Sequence, residues 1–452
     1  MLFGLKNKMP KYLYIVVETK VRELDSKILL SLEALKYDFN IIIGSKRLMH
    51  KIYLIQDSGF FFYKDSVKDM QPVFEKLKSK NFKIIVHDEE GFVQWNWKDY
   101  AKRRIVFNTI KHVDLFFCWG KSQQKSINSV LPGNNLNTKI VGSPRIDILS
   151  KKIRDYNKIK NIYHKKIILI NTKFGDVNFG GNGKNWIEKY KESNKLSDEE
   201  INNFDKMTSY KKKLLSHYLS LVNFLSLNLP NEIIILRPHP SENIEFWKSK
   251  FKNHNNIFIR KDESIGFWLH QSKLLIHTGC TTAIEGFLMD IPVIAFKPIE
   301  SKDFEIKLPD DVSLKCYSES QLFLEANKVI NGDFNYRGLK KAGNKILKNE
   351  IYIDENEFSF EKIVSEIHKL EYINSNSIFL SNIGLTLKFK TLSLLLKLKQ
   401  FFNFKNKKVE QKDIVVKNEV IEVINKFDNN SSSLDVTQLA TNVVLIKKKH
   451  EL

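Results

Sequence analysis

Arg237 and His239 stand two residues apart where an isoleucine-rich run ends, in EIIILRPHPSEN (232–243). In extended backbone such a pair projects to one side, so a guanidinium and an imidazole would be presented together. Pro238 and Pro240 stiffen the exit and remove competing N–H donors. A rigid pair of this kind suits a phosphate or diphosphate. The plainer reading is a capping histidine beside a solvent-facing arginine; the position at a strand's carboxyl end favours the first.

IHTGCTTAIEGF (276–287) offers a second anion site. A strand gives way to Thr278, Gly279, Cys280, Thr281 and Thr282, then to a helix that includes Glu285. Helix-start amides attract phosphate, threonine hydroxyls add donors, and Gly279 permits close backbone approach. Glu285, about one turn in, is placed to accept ribose hydroxyls. An ordinary threonine cap with Glu285 at the surface is the alternative. HDEEGF (87–92) ends a strand with adjacent carboxylates, Glu89 and Glu90, able to serve as general acid or base if one is desolvated; a solvated acidic turn competes. NTKFGD (171–176) carries Asp176, a nucleophile or acceptor, or else a turn residue. ETKVRELDSK (18–27) lacks G-x-G-x-x-G, against a dinucleotide fold.

These residues need strands that end at one edge. KYLYIVVE, FNIIIGS, FKIIVHDEEG and DLFFCWGK are continuous apolar runs closed by polar residues, as in a parallel sheet covered on both faces. RELDSKILLSLEALK places Leu24, Ile28, Leu32 and Leu35 at helical spacing. The pattern restarts with KIILINTKFGD, EIIILRPHP, NIFIRKDE and KLLIHTGCTTAIEGFLMDIPVIAFKP. The expected organisation is α/β: a Rossmann-like acceptor domain over 1–150, a linker over 151–165 and a Rossmann-like nucleotide-sugar domain over 166–345. A basic helical extension over 346–428 and a flexible tail over 429–452 follow. Right-handed crossovers would place the ligands at the strands' carboxyl ends, in a cleft between two facing domains.

The 452 residues carry 73 Lys and Arg against 52 Asp and Glu, a formal charge of +21. Such a surplus favours phosphates, nucleic acid or an anionic membrane face, although Lys and Asn are abundant throughout. Cys118, Cys280 and Cys316 form no C-x-x-C pair, which argues against a disulfide framework or zinc knuckle. No metal ligand set and no cofactor are expected. No signal peptide is read, and no apolar run approaches the roughly 20 residues that span a bilayer. The expected location is cytoplasmic, peripheral on the inner face of the membrane. LKFKTLSLLLKLKQFFNFKNKK (387–408) suits an anionic membrane surface or a helix packed on the body. Its lysines form no single stripe.

In order, EEGF, an Asp-bearing exit, RPHP and HTGCTTAIEGFLMDIPVIAF resemble the bacterial surface-carbohydrate biosynthesis proteins, glycosyltransferases of GT-B architecture. More distantly they are similar to the β-Kdo transferases of capsule synthesis. The resemblance covers roughly residues 10–345. It implies a CMP-linked donor such as CMP-Kdo, retention, Asp176 as covalent nucleophile and Glu89 as acid/base. It also implies a donor phosphate held by His239, Arg237 and the Thr278–Thr282 turn, with Glu285 on the ribose. Glu90 stands where those relatives have Asp. The expectation is transfer of a sugar from a nucleotide donor to a surface polysaccharide or lipid-linked acceptor. A sugar-nucleotide 2-epimerase and a CDP-glycerol polyol-phosphate transferase are the enzymatic alternatives. A basic nucleic-acid-binding protein is the alternative of another class, but no cluster of Arg and aromatics supports it.

Overall fold

The computed structural model describes residues 11–131, 133, 136–153, 167–180, 186–193, 196–371, 382–402, 414–428 and 431–449. The chain forms two compact units. The first comprises Met1–Phe92, Asn96–Arg154 and Lys348–Leu452; the second comprises Val93–Trp95 and Asp155–Leu347. Most of the expected linker, from 154 on, lies outside the described residues.

The first unit is built on an eight-stranded sheet, ordered β13-β14-β2-β1-β3-β4-β5-β6. β1 (Lys11–Val17), β2 (Phe39–Ser45), β3 (Gly59–Tyr63), β4 (Phe82–His87), β5 (Leu115–Cys118) and β6 (Thr138–Ile140) are all parallel. Leu13 to Val17 are buried on both faces, which is why these runs are continuously apolar rather than alternating. Val16, Ile42, Phe61, Val86 and Phe116 share one core cluster.

β13 (Leu434–Ala440) and β14 (Val443–Lys448) form an antiparallel hairpin, and β14 pairs antiparallel with β2. The flexible tail expected over 429–452 is therefore corrected for 434–448. Val443, Val444, Leu445 and Ile446 are all buried, and their backbone covers the edge β2 would otherwise expose. The Asn- and Ser-rich joint before them reads as disorder, but it precedes a strand with high β propensity.

The second unit holds a six-stranded parallel sheet, ordered β12-β11-β10-β7-β8-β9. Its strands are β7 (Ile167–Asn171), β8 (Ile233–Arg237), β9 (Ile257–Ile259), β10 (Ser272–His277), β11 (Val293–Phe296) and β12 (Leu314–Cys316). The helix Asp198–Asn228 packs Leu214, Tyr218, Leu221 and Leu225 on Ile168, Ile170, Ile234 and Ile276. A reciprocal cap starts it: Ser197 Oγ accepts from Glu200 N–H at 3.3 Å, and Glu200 Oε2 accepts from Ser197 N–H at 2.9 Å.

Strand order reverses once in each sheet, between β1 and β3 and between β7 and β10. At such a point the loops diverge to opposite faces and leave a crevice at the carboxyl ends.

Candidate functional site

In the second unit, three loops meet at the carboxyl ends of β10, β7 and β8. Asn171, the last residue of β7, donates from Nδ2 to Thr282 Oγ1 at 3.0 Å, tying the β10 exit to the β7 exit. The β7 and β8 exits are knitted by backbone. Gly180 N–H donates to Ser241 O at 2.8 Å, and Asn243 N–H donates to Asn178 O at 2.9 Å. A Cβ on Gly175 would lie 2.0 Å from Ser241 Oγ, so any side chain there would displace the hydroxyl beside His239.

Glu242 pins the Arg237–His239 exit. It is 1% exposed; its Oε1 accepts from His239 N–H at 2.9 Å and Thr172 Oγ1 at 2.8 Å, and its Oε2 from Trp247 Nε1 at 2.9 Å. Burial raises its carboxyl above the usual range despite these donors. His239 Nδ1 accepts from Ser241 N–H at 3.3 Å and lies 2.8 Å from Ser241 Oγ, which places the ring proton on Nε2. Arg237 donates from Nη2 to Glu263 O at 3.0 Å, while its buried Nε has no hydrogen-bond partner. Burial lowers the guanidinium's pKa, and Glu285, Asp262 and Cys280 oppose the shift. Arg237 and His239 are thus each held by different partners.

The β10 exit is ordered by His277. Its Nδ1 accepts from Gly279 N–H at 2.9 Å, so Nε2 carries the proton and donates to Ser313 Oγ at 2.9 Å, which donates to Pro309 O at 2.7 Å. Burial, aided by Lys297, pushes this imidazole down to about 3. Gly279 has φ +79°. The expected threonine cap is not made: Thr281 has αR backbone and no side-chain capping bond. Two expected helix-start donors are also occupied, since Ala283 N–H donates to Cys280 O and Ile284 N–H to Thr281 O. Glu285 is 3% exposed, which removes the surface reading.

A pocket of about 170 Å³ opens at the reversal between β7 and β10. Lys173, Asp176, Lys211, His277, Thr278 and Gly279 line it, with Lys297, Glu305 and Asp310 at its side. It unites Asp176, Thr278 and Gly279 of the expected residues; Arg237, His239, Thr281, Thr282 and Glu285 are not among its lining. Lys297 pairs with Asp310 at 2.6 Å and with Glu305. Among the described residues, Lys173 and Lys211 form no ion pair. Burial and Lys173 push Lys211 down to about 8, against the pull of Asp176, Glu305 and Glu242. Thr278 Oγ1 is buried without a hydrogen-bond partner. The pocket therefore offers cations and an unused hydroxyl to an anion.

Lys211 went unread in the sequence, yet a signal was there. It falls on the stripe Met207, Leu214, Tyr218, Leu221, all buried, and a lysine on an apolar face is a question in itself. Lys27 is the same case in the first unit, beside Leu24 and Ile28. Its Nζ donates to Val16 O at 2.6 Å, pairs with Glu23 and lies 3.9 Å from Glu89 Oε1.

In the first unit, the HDEEGF turn is rigid. Trp119 stacks between His87 and Phe92, with ring centroids 5.6 and 4.8 Å away, and its Nε1 donates to Asp88 O at 2.8 Å. Glu89 is 8% exposed; Arg145 Nη1 is 3.8 Å from its Oε2, which has no hydrogen-bond partner. Glu90 is half-exposed and accepts from Arg104 Nη1 at 3.2 Å. Burial would raise its pKa, but Arg104, Lys64 and Arg22 bring it below the usual range. The two carboxylates thus have different surroundings: Glu89 is the less exposed, and Glu90 is the one Arg104 engages. At the reversal between β1 and β3, Glu18 pairs with Lys64 and, at 3.1 Å, with Lys46. Against the effect of burial, these lysines bring it down to about 2.

Among the described residues, no three His, Cys, Asp or Glu side chains converge as a metal site, and no helix is long and apolar enough to cross a membrane.

This is an α/β protein with two Rossmann-like parallel-sheet domains, GT-B-like in fold. Among solved structures it is similar to the UDP-GlcNAc 2-epimerase of Methanocaldococcus jannaschii, in complex with UDP-GlcNAc and UDP. The two share 13% identity over 79% of this chain and 99% of that one, with a TM-score of 0.50. It is also similar to the wall teichoic acid polymerase TagF. A histidine-to-alanine variant of that polymerase gives 12% identity over 80% of this chain and 88% of that one, with a TM-score of 0.53. A TagF variant soaked with CDPG gives 12%, 79%, 88% and 0.51. No protein-family model matches the chain, and no curated protein matches it.

Proposed function

We propose that this chain is a nucleotide-sugar-dependent glycosyltransferase that acts in surface glycopolymer assembly. The second unit binds the donor and the first receives a saccharide or lipid-linked acceptor. The observation that carries this reading is the anion-ready edge at β10-β7-β8. Among the described residues, Lys173 and Lys211 open on its pocket without ion pairs, and Thr278 Oγ1 and Arg237 Nε are buried without hydrogen-bond partners. Buried polar groups left unmatched are costly, so a ligand that supplies acceptor oxygens is the economical explanation. Fixed cations aimed at a departing phosphate stabilise its developing charge.

The donor in this reading is CMP-linked, with Kdo or a related ulosonic acid as the transferred group. Asp176 attacks the anomeric carbon as the bond to the CMP phosphate breaks with its electron pair. The acceptor hydroxyl then displaces the ester while Glu89 takes its proton. His239 and Arg237 hold the donor phosphate, and Thr281, Thr282 and Glu285 complete the nucleotide contacts. The lower exposure of Glu89 supports its role over Glu90, whose carboxylate Arg104 engages.

Thermal shift with CMP-, UDP-, GDP- and CDP-linked donors tests the reading. A saturating donor at 100 times its Kd stabilises by about 2.7 kcal/mol, and a CMP-sugar is expected to do so for the wild type but not for His239→Ala. A sugar adduct in the intact mass, lost in Asp176→Ala, would follow. Stabilisation by none of the four nucleotides would sink the assignment. The same panel separates the other uses of such a fold. UDP-GlcNAc turnover without acceptor identifies a 2-epimerase, and glycerol-phosphate transfer from CDP-glycerol identifies a polyol-phosphate transferase. Salt-sensitive RNA or DNA binding that survives His239→Ala identifies a nucleic-acid-binding protein.

A further inference from the structure

The helix Asn382–Phe402 has two apolar faces. Leu385, Phe389 and Leu392 are buried in the core of the first unit with Leu439, Val443 and Leu445 of the hairpin. Away from that core, Ile383 is 74% exposed, Leu387 60%, Leu394 57%, Leu395 56% and Leu398 45%. At roughly 100° per residue, Ile383, Leu387, Leu394 and Leu398 fall within an arc of about 60°, opposite the buried residues. Lys390 and Lys397, both exposed, border that arc on one side; on the other, beyond Leu395, Lys388 donates from Nζ to Ile55 O at 3.2 Å. No Asp or Glu occurs between 382 and 402. Lys390 and Lys397 thus form one margin of an apolar stripe.

We propose that this stripe docks on the surface of an anionic phospholipid bilayer, its aliphatic side chains at the acyl boundary and its lysines among the headgroup phosphates. The helix lies on the bilayer and does not cross it. Two features select this occupant. The charges beside the stripe on this helix are cations and the helix carries no acid, which complements a phosphate surface. A second copy of the chain would bring the same lysines against one another across a two-fold contact. The helix that carries the stripe also lies close to the strand exits of the first unit. Arg47 donates from Nη2 to Leu396 O at 2.7 Å, and its neighbour Lys46 pairs with Glu18. Docking would hold that edge near lipid, whatever donor the second unit takes.

Co-sedimentation of the full chain with vesicles tests this. The wild type is expected to sediment with phosphatidylglycerol-containing vesicles, weakly with pure phosphatidylcholine, and less as salt rises. A Leu387→Ser/Leu394→Ser/Leu398→Ser variant is expected to lose at least about tenfold in partitioning. Lys390→Glu/Lys397→Glu is expected to lose binding at low salt. Because all five side chains are exposed, an unchanged melting curve checks the fold of each variant. Wild-type protein that ignores anionic vesicles, or a triple serine variant that still binds them, overturns the proposal. So does a wild-type dimer that the serine variant converts to monomer without any vesicle binding.

Discussion

Arg104 grips Asp88 through two parallel hydrogen bonds, Nε to Oδ2 at 2.6 Å and Nη2 to Oδ1 at 2.7 Å. Tyr100 adds a third donor to Oδ2 at 3.0 Å. Asp88 is 1% exposed, and it immediately precedes the two carboxylates that the sequence put forward. The pair fixes the turn on which Glu89 and Glu90 sit.

Removing Arg104 leaves the buried Asp88 carboxylate without its cation, whereas Arg104 without Asp88 keeps its bond to Glu90. Arg104→Ala should lower stability by about 3–5 kcal/mol, and Asp88→Ala by less. Arg104→Lys should rescue little, because an ammonium cannot make the two-point contact. Urea denaturation midpoints measure all three. A loss below about 1 kcal/mol in Arg104→Ala would show the pair behaving like a surface salt bridge.

Lys211 gives a pH signature. Its folded-state pKa lies near 8, against about 10.4 unfolded. The unfolded chain then binds the extra proton between those values, so this group's contribution to stability rises with pH from about 8 to 10.4. Lys211→Met should be more stable than wild type at pH 7, by up to about 3 kcal/mol. The gap should close above pH 10. In the proposed donor complex, affinity should fall as pH climbs through about 8 in the wild type and stay flat in the variant.

Two glycines with similar backbone should differ in cost. Gly279 has φ +79° and nothing within 4 Å of an added Cβ. Gly142 has φ +83°, and its Cβ would meet Tyr352 O at 2.3 Å. Gly279→Ala should cost about 1–2 kcal/mol from backbone strain alone. Gly142→Ala carries that strain plus a backbone clash and should cost clearly more. Equal losses in thermal melts would contradict the geometry.

Deleting residues 431–452 should damage the first unit rather than trim it. The hairpin buries Val443, Val444, Leu445 and Ile446 and covers β2. Losing it should cost about 5 kcal/mol or more and expose an apolar strand edge prone to self-pairing. Light scattering and soluble yield read the outcome. A monodisperse truncation would show that the edge needs no cover.

Both parallel sheets were legible because apolar runs such as KYLYIVV and IILIN advertise burial on both faces. The exits they position were legible too, since chemistry-bearing residues directly follow those runs. What stayed hidden depends on contacts between distant segments. Glu242 carries no signal within its own segment, yet it orders His239 by accepting from its backbone. Thr281 looked like a cap, but αR backbone leaves its hydroxyl out of that role. Lys211 sat among three consecutive lysines, and only the helix phase singles it out. The hairpin was lost because the Asn–Ser joint ahead of it carries the composition of disorder.

All but three residues of the second unit, Asp155–Leu347, form one inserted stretch, whereas the first is assembled from segments on both sides of it. During translation, β2 therefore leaves the ribosome long before the strand that shields it. The inserted unit can finish folding while its host still lacks two strands. The nascent chain must keep Ile41, Ile42 and Ile43 from a wrong partner throughout that interval, which makes chaperone demand during synthesis a property of this topology.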